Sequence, residues 1–123
     1  MISFTPMSKS ADIQIKVTLD ENKIPSEIKW TATDAEFDGF KEANAFMLSL
    51  WDEQEKNTMG IDLWTKQMTV PDMIIFFHQK LLKLAETYER ATNQPEVAAM
   101  FDAFAEDFAK KAHEAAEKAS RGQ

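Results

Sequence analysis

His78 is the first residue to weigh for chemistry. It stands in Phe76-Phe77-His78-Gln79, where an imidazole could act as a general base or a metal ligand. A metal site on a helix wants a second His, Asp or Glu three or four positions away. Those slots hold Leu81 and Leu82 downstream, and Ile74 and Ile75 upstream. His78 therefore reads as a boundary histidine whose ring packs and whose nitrogen finds a hydrogen-bond partner. His113, on an alanine-rich tail, has no better claim. Asp34, Glu36 and Asp38 cluster closely enough to suggest calcium, but a calcium loop needs more oxygen ligands, a turn glycine and a distant glutamate. Phe37 interrupts the cluster, and the acids read more simply as the cap and first-turn charges of a following helix. Only three glycines occur, far apart, so no phosphate loop exists, and no G-x-S-x-G elbow is present. Without cysteine there is no thiol nucleophile, thiolate site or disulfide. No catalytic, metal-binding or cofactor-binding residue is assigned, and the chain is read as a non-enzyme.

Contact is a different matter. In Gly60-Ile61-Asp62-Leu63-Trp64-Thr65-Lys66, Met59, Ile61 and Leu63 alternate with Gly60, Asp62 and Trp64. Successive side chains of a strand point to opposite faces, so one set wants a core while the other turns a tryptophan toward water. Trp64 is expected on the outer face of a sheet, with Lys16, Lys29 and Lys66 around it. Tryptophan is enriched where a few residues dominate an interface, so these four are the candidate protein-interaction residues.

The elements that must position them follow from periodicity. Ile13, Ile15, Val17 and Leu19 alternate with polar residues, and so do Ile28, Trp30 and Ala32. With turn residues at 20–23 between them, an antiparallel hairpin is expected. Phe40, Ala43, Met47, Leu50 and Trp51 fit one helical stripe, closed by the polar stretch 53–57. Residues 58–64 make a third strand. Thr69-Val70-Pro71-Asp72 is a helix start, with a threonine cap, an early proline and an acid in the first turn. Met73, Phe77, Leu81, Leu84 and Tyr88 stripe that helix, while Ile75 and Leu82 lie on its far side. Pro95 opens a last helix striped by Val97, Met100, Phe101, Phe104 and Phe108, continuing as alanines that bury little. The order β-β-α-β-α-α predicts an α+β domain in which a small antiparallel sheet, order 2-1-3, is covered on one face by three helices. A loose arm is expected at 1–11, a single domain at 12–119, and a frayed terminus at 120–123.

Composition narrows the function classes. A chain of 123 residues with 44% hydrophobic content can bury a core as one domain. Net charge of −7 opposes binding to nucleic-acid phosphates or anionic lipid. No apolar run is long enough to span a bilayer, and the first residues do not read as a secretion signal. A cytoplasmic protein is expected, without membrane insertion.

Several blocks occur in one order: Leu19-Asp20-Glu21-Asn22, Trp30-Thr31-Ala32-Thr33-Asp34, Ser49-Leu50-Trp51-Asp52, Ile61-Asp62-Leu63-Trp64-Thr65-Lys66 with Met68, and Phe76-Phe77-His78-Gln79. Together they resemble the GldC family of gliding motility-associated proteins of Bacteroidetes. The resemblance covers about 13–93. It implies an accessory role in a gliding apparatus whose machinery is shared with type IX secretion, and it carries no catalytic residue or cofactor. The expected function is a cytoplasmic docking adaptor that uses the outer sheet face. Its expected partner is another gliding or type IX secretion component, or a second copy. The alternative is a binder of a small hydrophobic ligand or peptide between helices and sheet.

Overall fold

The computed structural model describes residues 9–122, which form five strands and then two helices. They fall into two compact units, one ending at Met68 and the other beginning at Thr69. Most of the arm expected at 1–11 lies outside the described residues, as does Gln123.

Strict alternation builds the first hairpin as expected. β1 (Ile13–Leu19) and β2 (Pro25–Ala32) pair antiparallel, with Ile15 opposite Trp30 and Val17 opposite Ile28. Directly opposed residues share a face, so these four make one apolar surface on which Ile28 is buried. Asp20 organises the turn: its Oδ1 accepts the N–H groups of Asn22 at 2.8 Å and Ile24 at 3.0 Å. β3 (Lys41–Ala43) pairs antiparallel with β2, placing Ala43 opposite Ile28, and completes a sheet of order β1-β2-β3.

A single residue, Asn44, separates β3 from β4 (Ala45–Asp52). There the chain leaves the first sheet and pairs antiparallel with β5 (Asn57–Trp64) as a two-stranded ribbon. The helix expected over 40–51 is therefore strand. Its apolar residues satisfy helical spacing, but Ala45, Phe46, Met47 and Leu48 are all half-buried in succession. A strand apolar on both faces loses its period of two and cannot be told from a helix by pattern. The polar stretch 53–57, read as that helix's end, is instead the ribbon's turn at 53–56 and the first residue of β5. Asp52 Oδ1 accepts from the N–H groups of Gln54 and Glu55, and Lys56 takes a left-handed φ of 53°.

Three further expectations change with it. The strand expected at 58–64 exists but pairs with β4 and not with β1, so the order 2-1-3 gives way to two separate sheets. Among the described residues two helices are present, not three. Asp34, Glu36 and Asp38 cap no helix, because the chain beyond them enters β3. Phe37, the residue that interrupts the acids, fastens this loop. It meets Trp30 edge-on at 5.0 Å between ring centroids, with Lys41 Nζ 5.4 Å from its own ring.

The second unit is a helical hairpin. α1 (Val70–Thr92) starts as expected, with Thr69 Oγ1 accepting the Asp72 N–H at 3.1 Å and Pro71 in the first turn. It ends at Asn93, whose left-handed φ of 57° and N–H bond to the Glu89 carbonyl close the last turn. α2 (Pro95–Arg121) begins after Gln94, a connection short enough to force the two helices antiparallel. Ala85, Ala98 and Ala105 are buried along the seam, where small side chains allow close approach. Phe77 stacks on Phe108 at 6.3 Å. Tyr88 lies against Phe101 at 5.9 Å and donates its hydroxyl to Gln94 Oε1 at 2.8 Å.

Candidate contact surface

The ribbon departs from the three-stranded sheet at a hydrogen-bonded corner. Thr65, directly after β5, is buried. Its N–H donates to the Asn44 carbonyl at 2.8 Å, and its hydroxyl donates to Asn44 Oδ1 at 3.3 Å. The same hydroxyl accepts the Gln67 N–H at 3.3 Å. The end of β5 is thus latched to the residue at which the neighbouring strand changes sheet. Lys66 reaches the first hairpin from here, with Nζ 3.5 Å from Asp20 Oδ2. The Ile24 N–H bond above all, with the Asn22 N–H and the Lys66 charge, holds the Asp20 carboxyl below the usual carboxylate range.

Register assigns the ribbon's two faces. Phe46 lies opposite Leu63, Leu48 opposite Ile61 and Leu50 opposite Met59, giving one face of six apolar side chains. Met59 and Ile61, expected to point into a core, are more than half exposed, while Leu63 near the corner is half-buried. Two strands alone cannot bury a face, and shelter fades from the corner toward the tip. The opposite face carries Trp64 across from Ala45 and Trp51 across from Thr58, with Met47, Ser49, Gly60 and Asp62 between. Trp64 is 56% exposed and Trp51 61%. The two rows are six residue steps apart along the strand, a span of about 20 Å.

The four expected contact residues do not form one cluster. Lys16 lies opposite Lys29, and Gln14 opposite Thr31, all on the outer face of the three-stranded sheet. Lys16 Nζ stands 5.4 Å from the Phe40 ring centroid, and Lys29 Nζ lies 3.5 Å from Glu27 Oε2. These neighbours temper the repulsion between two lysines set directly across from each other. Trp64 belongs to the other sheet, and Lys66 is turned to Asp20. The neighbourhood expected around Trp64 depended on β5 lying beside β1. The companion that was missed is Trp51. Its signal was available in Trp51-Asp52 followed by a polar turn and a strand, once 45–52 is read as extended.

His78 is on α1 with its Nε2 buried and without a hydrogen bond. Glu106 Oε2 on α2 is the facing carboxylate at 3.6 Å, beyond hydrogen-bond length, so the satisfied partner expected for this ring is not in place. His113 is exposed beside Glu117 on α2. Among the described residues no group of three or more His, Cys, Asp or Glu is arranged to hold a metal ion.

Two antiparallel sheets and a helical hairpin define the described residues as a small α+β protein. No helix among the described residues is long and apolar enough to cross a membrane. Residues 25–114 match the family model described as Gliding motility-associated protein GldC-like, and the chain belongs to that family. The family's description names an association with gliding motility. No curated protein and no solved structure matches the chain.

Proposed function

We propose that this protein is a non-catalytic accessory component of gliding motility that works as a docking adaptor, with the Trp51–Trp64 face of the ribbon as its contact surface. The observation that carries this reading is the pair of tryptophans, both more than half exposed and on one face of a two-stranded ribbon. Large aromatics held in water at that density are usual where a partner covers them. Ser49 and Gly60, paired between them, make a low step beside Met47 and Asp62, so an extended segment of another gliding or secretion component can lie across the face. Lys16 and Lys29, on the separate sheet, form a second and more polar surface that supports the same partner or none.

The experiment is a cross-linked pull-down from a gliding bacterium, with wild-type, Trp64→Ala and Trp51→Ala baits. A gliding or secretion component captured by the wild type should be lost from both variants, and a binding measurement should show a cost of about 2 kcal/mol or more for each. Full retention of that component by both folded variants removes the ribbon face as the docking surface.

A further inference from the structure

The α1–α2 hairpin leaves a second apolar surface open, distinct from the ribbon. Leu81 on α1 and Val97, Met100, Phe101 and Phe104 on α2 line a groove of about 460 Å³ in which no side chain carries a charge or a hydrogen-bonding group. Met100 is 70% exposed and Phe104 58%, and Phe77 and Leu84 extend the surface along α1. Charged residues enter only beyond Phe104, where Asp107, Lys111 and Glu114 flank the continuation of the groove.

We propose that this face is a self-association surface and that a second copy of this chain covers it, the two hairpins joining as an antiparallel four-helix arrangement. Three arguments select that occupant. A patch lined by apolar groups alone is complementary to itself under a two-fold axis, because no charge meets its like. A charged or polar partner would find nothing in the groove to pair with, although the chain's surface is rich in acids elsewhere. Finally, a helical hairpin buries one seam and leaves a flank, and pairing two flanks is the packing of a four-helix bundle. With a large side chain presenting roughly 150–250 Å² when fully exposed, Phe77, Leu84, Val97, Met100 and Phe104 at their exposures offer about 500 Å² per copy. Two copies therefore bury about 1,000 Å² before their polar rim is counted, the size at which specific association begins.

The test is the mass of the full chain in solution by light scattering, across a concentration series. A dimer of 2 × 14.0 kDa, about 28 kDa, is expected at high concentration. Met100→Glu, at a position exposed enough to leave the helix intact, should weaken the dimer at least tenfold with an unchanged circular dichroism spectrum. Trp51→Glu, on the ribbon, should leave the dimer as it was. Because the chain has no cysteine, Met100→Cys provides a readout independent of the charge substitution. Under oxidation it should give a covalent dimer, while Glu86→Cys, on the side of α1 opposite Phe77 and Leu84, should not. A monomer at every concentration overturns the proposal. So does a dimer that survives Met100→Glu, or equal cross-linking from positions 100 and 86.

Discussion

Thr65 and Asp20 set the β unit's geometry with single side chains. Thr65 spends its hydroxyl on two bonds, one given to Asn44 Oδ1 and one taken from the Gln67 N–H. Thr65→Val keeps the shape and leaves both partners short, so it should cost about 1–3 kcal/mol in urea unfolding, with Thr65→Ser recovering most of it. Asp20 makes stability pH-dependent. Its folded pKa is lowered, so the stabilisation is present above the unfolded value and is lost as pH falls through the folded one. The urea midpoint of the wild type should therefore drop on acidification below about pH 4, the range where an unperturbed aspartate protonates. Asp20→Asn keeps an oxygen to accept the Asn22 and Ile24 N–H groups, and the part of the drop that belongs to Asp20 should disappear. An Asp20→Asn profile superimposable on the wild type would mean that this carboxylate does not carry the effect.

Turn chemistry and strand patterning account for what the elements reveal. Lys56 holds a left-handed conformation at the ribbon's turn, where a side chain costs about 1–2 kcal/mol and glycine does not pay the steric part. Its ion pair with Glu53 is exposed and worth little. Lys56→Gly should therefore raise the unfolding free energy by about 0.5–1 kcal/mol, and an unchanged or lower midpoint would refute this account of the turn. Where the sequence was legible, one face was polar. β1 and β2 alternate cleanly because their outer face meets water, and the Thr69 cap with Pro71 marks the start of α1. Where it misled, both faces were apolar: β4 carries Phe46, Leu48 and Leu50 on one side, and Ala45, Met47 and Trp51 on the other. That misreading also hid β5's true neighbour, and with it the separation of Trp64 from Lys16 and Lys29. The helical seam was equally hard to foresee, since it is made by Ala85, Ala98 and Ala105 while larger residues of the same stripe stay open.

At the scale of the molecule, net charge and apolar surface oppose each other. Each copy carries −7, so bringing two together is resisted at long range. The Debye length falls from about 30 Å at 0.01 M salt to about 3 Å at 1 M, while an apolar contact keeps its strength. The dissociation constant of the proposed dimer should therefore fall as sodium chloride is added. A partner held to this chain by basic groups would show the reverse, so a salt series measured beside the Met100→Glu comparison separates the two kinds of contact. Family membership places the chain with gliding motility. Two open surfaces of different make, one tryptophan-bearing and one aliphatic and phenylalanine-rich, would let such a component hold a partner and a copy of itself at once.

The corner at Asn44 has a kinetic consequence. Because one continuous stretch of backbone serves as the edge of the first sheet and as half of the ribbon, neither can open wholly without disturbing the other. Amide protons of Phe46 and Leu63 should then exchange with deuterium on the timescale of those in β2, although a free two-stranded hairpin would exchange almost at once. The lifetime of the tryptophan face would in that case be lent to it by the sheet at its back.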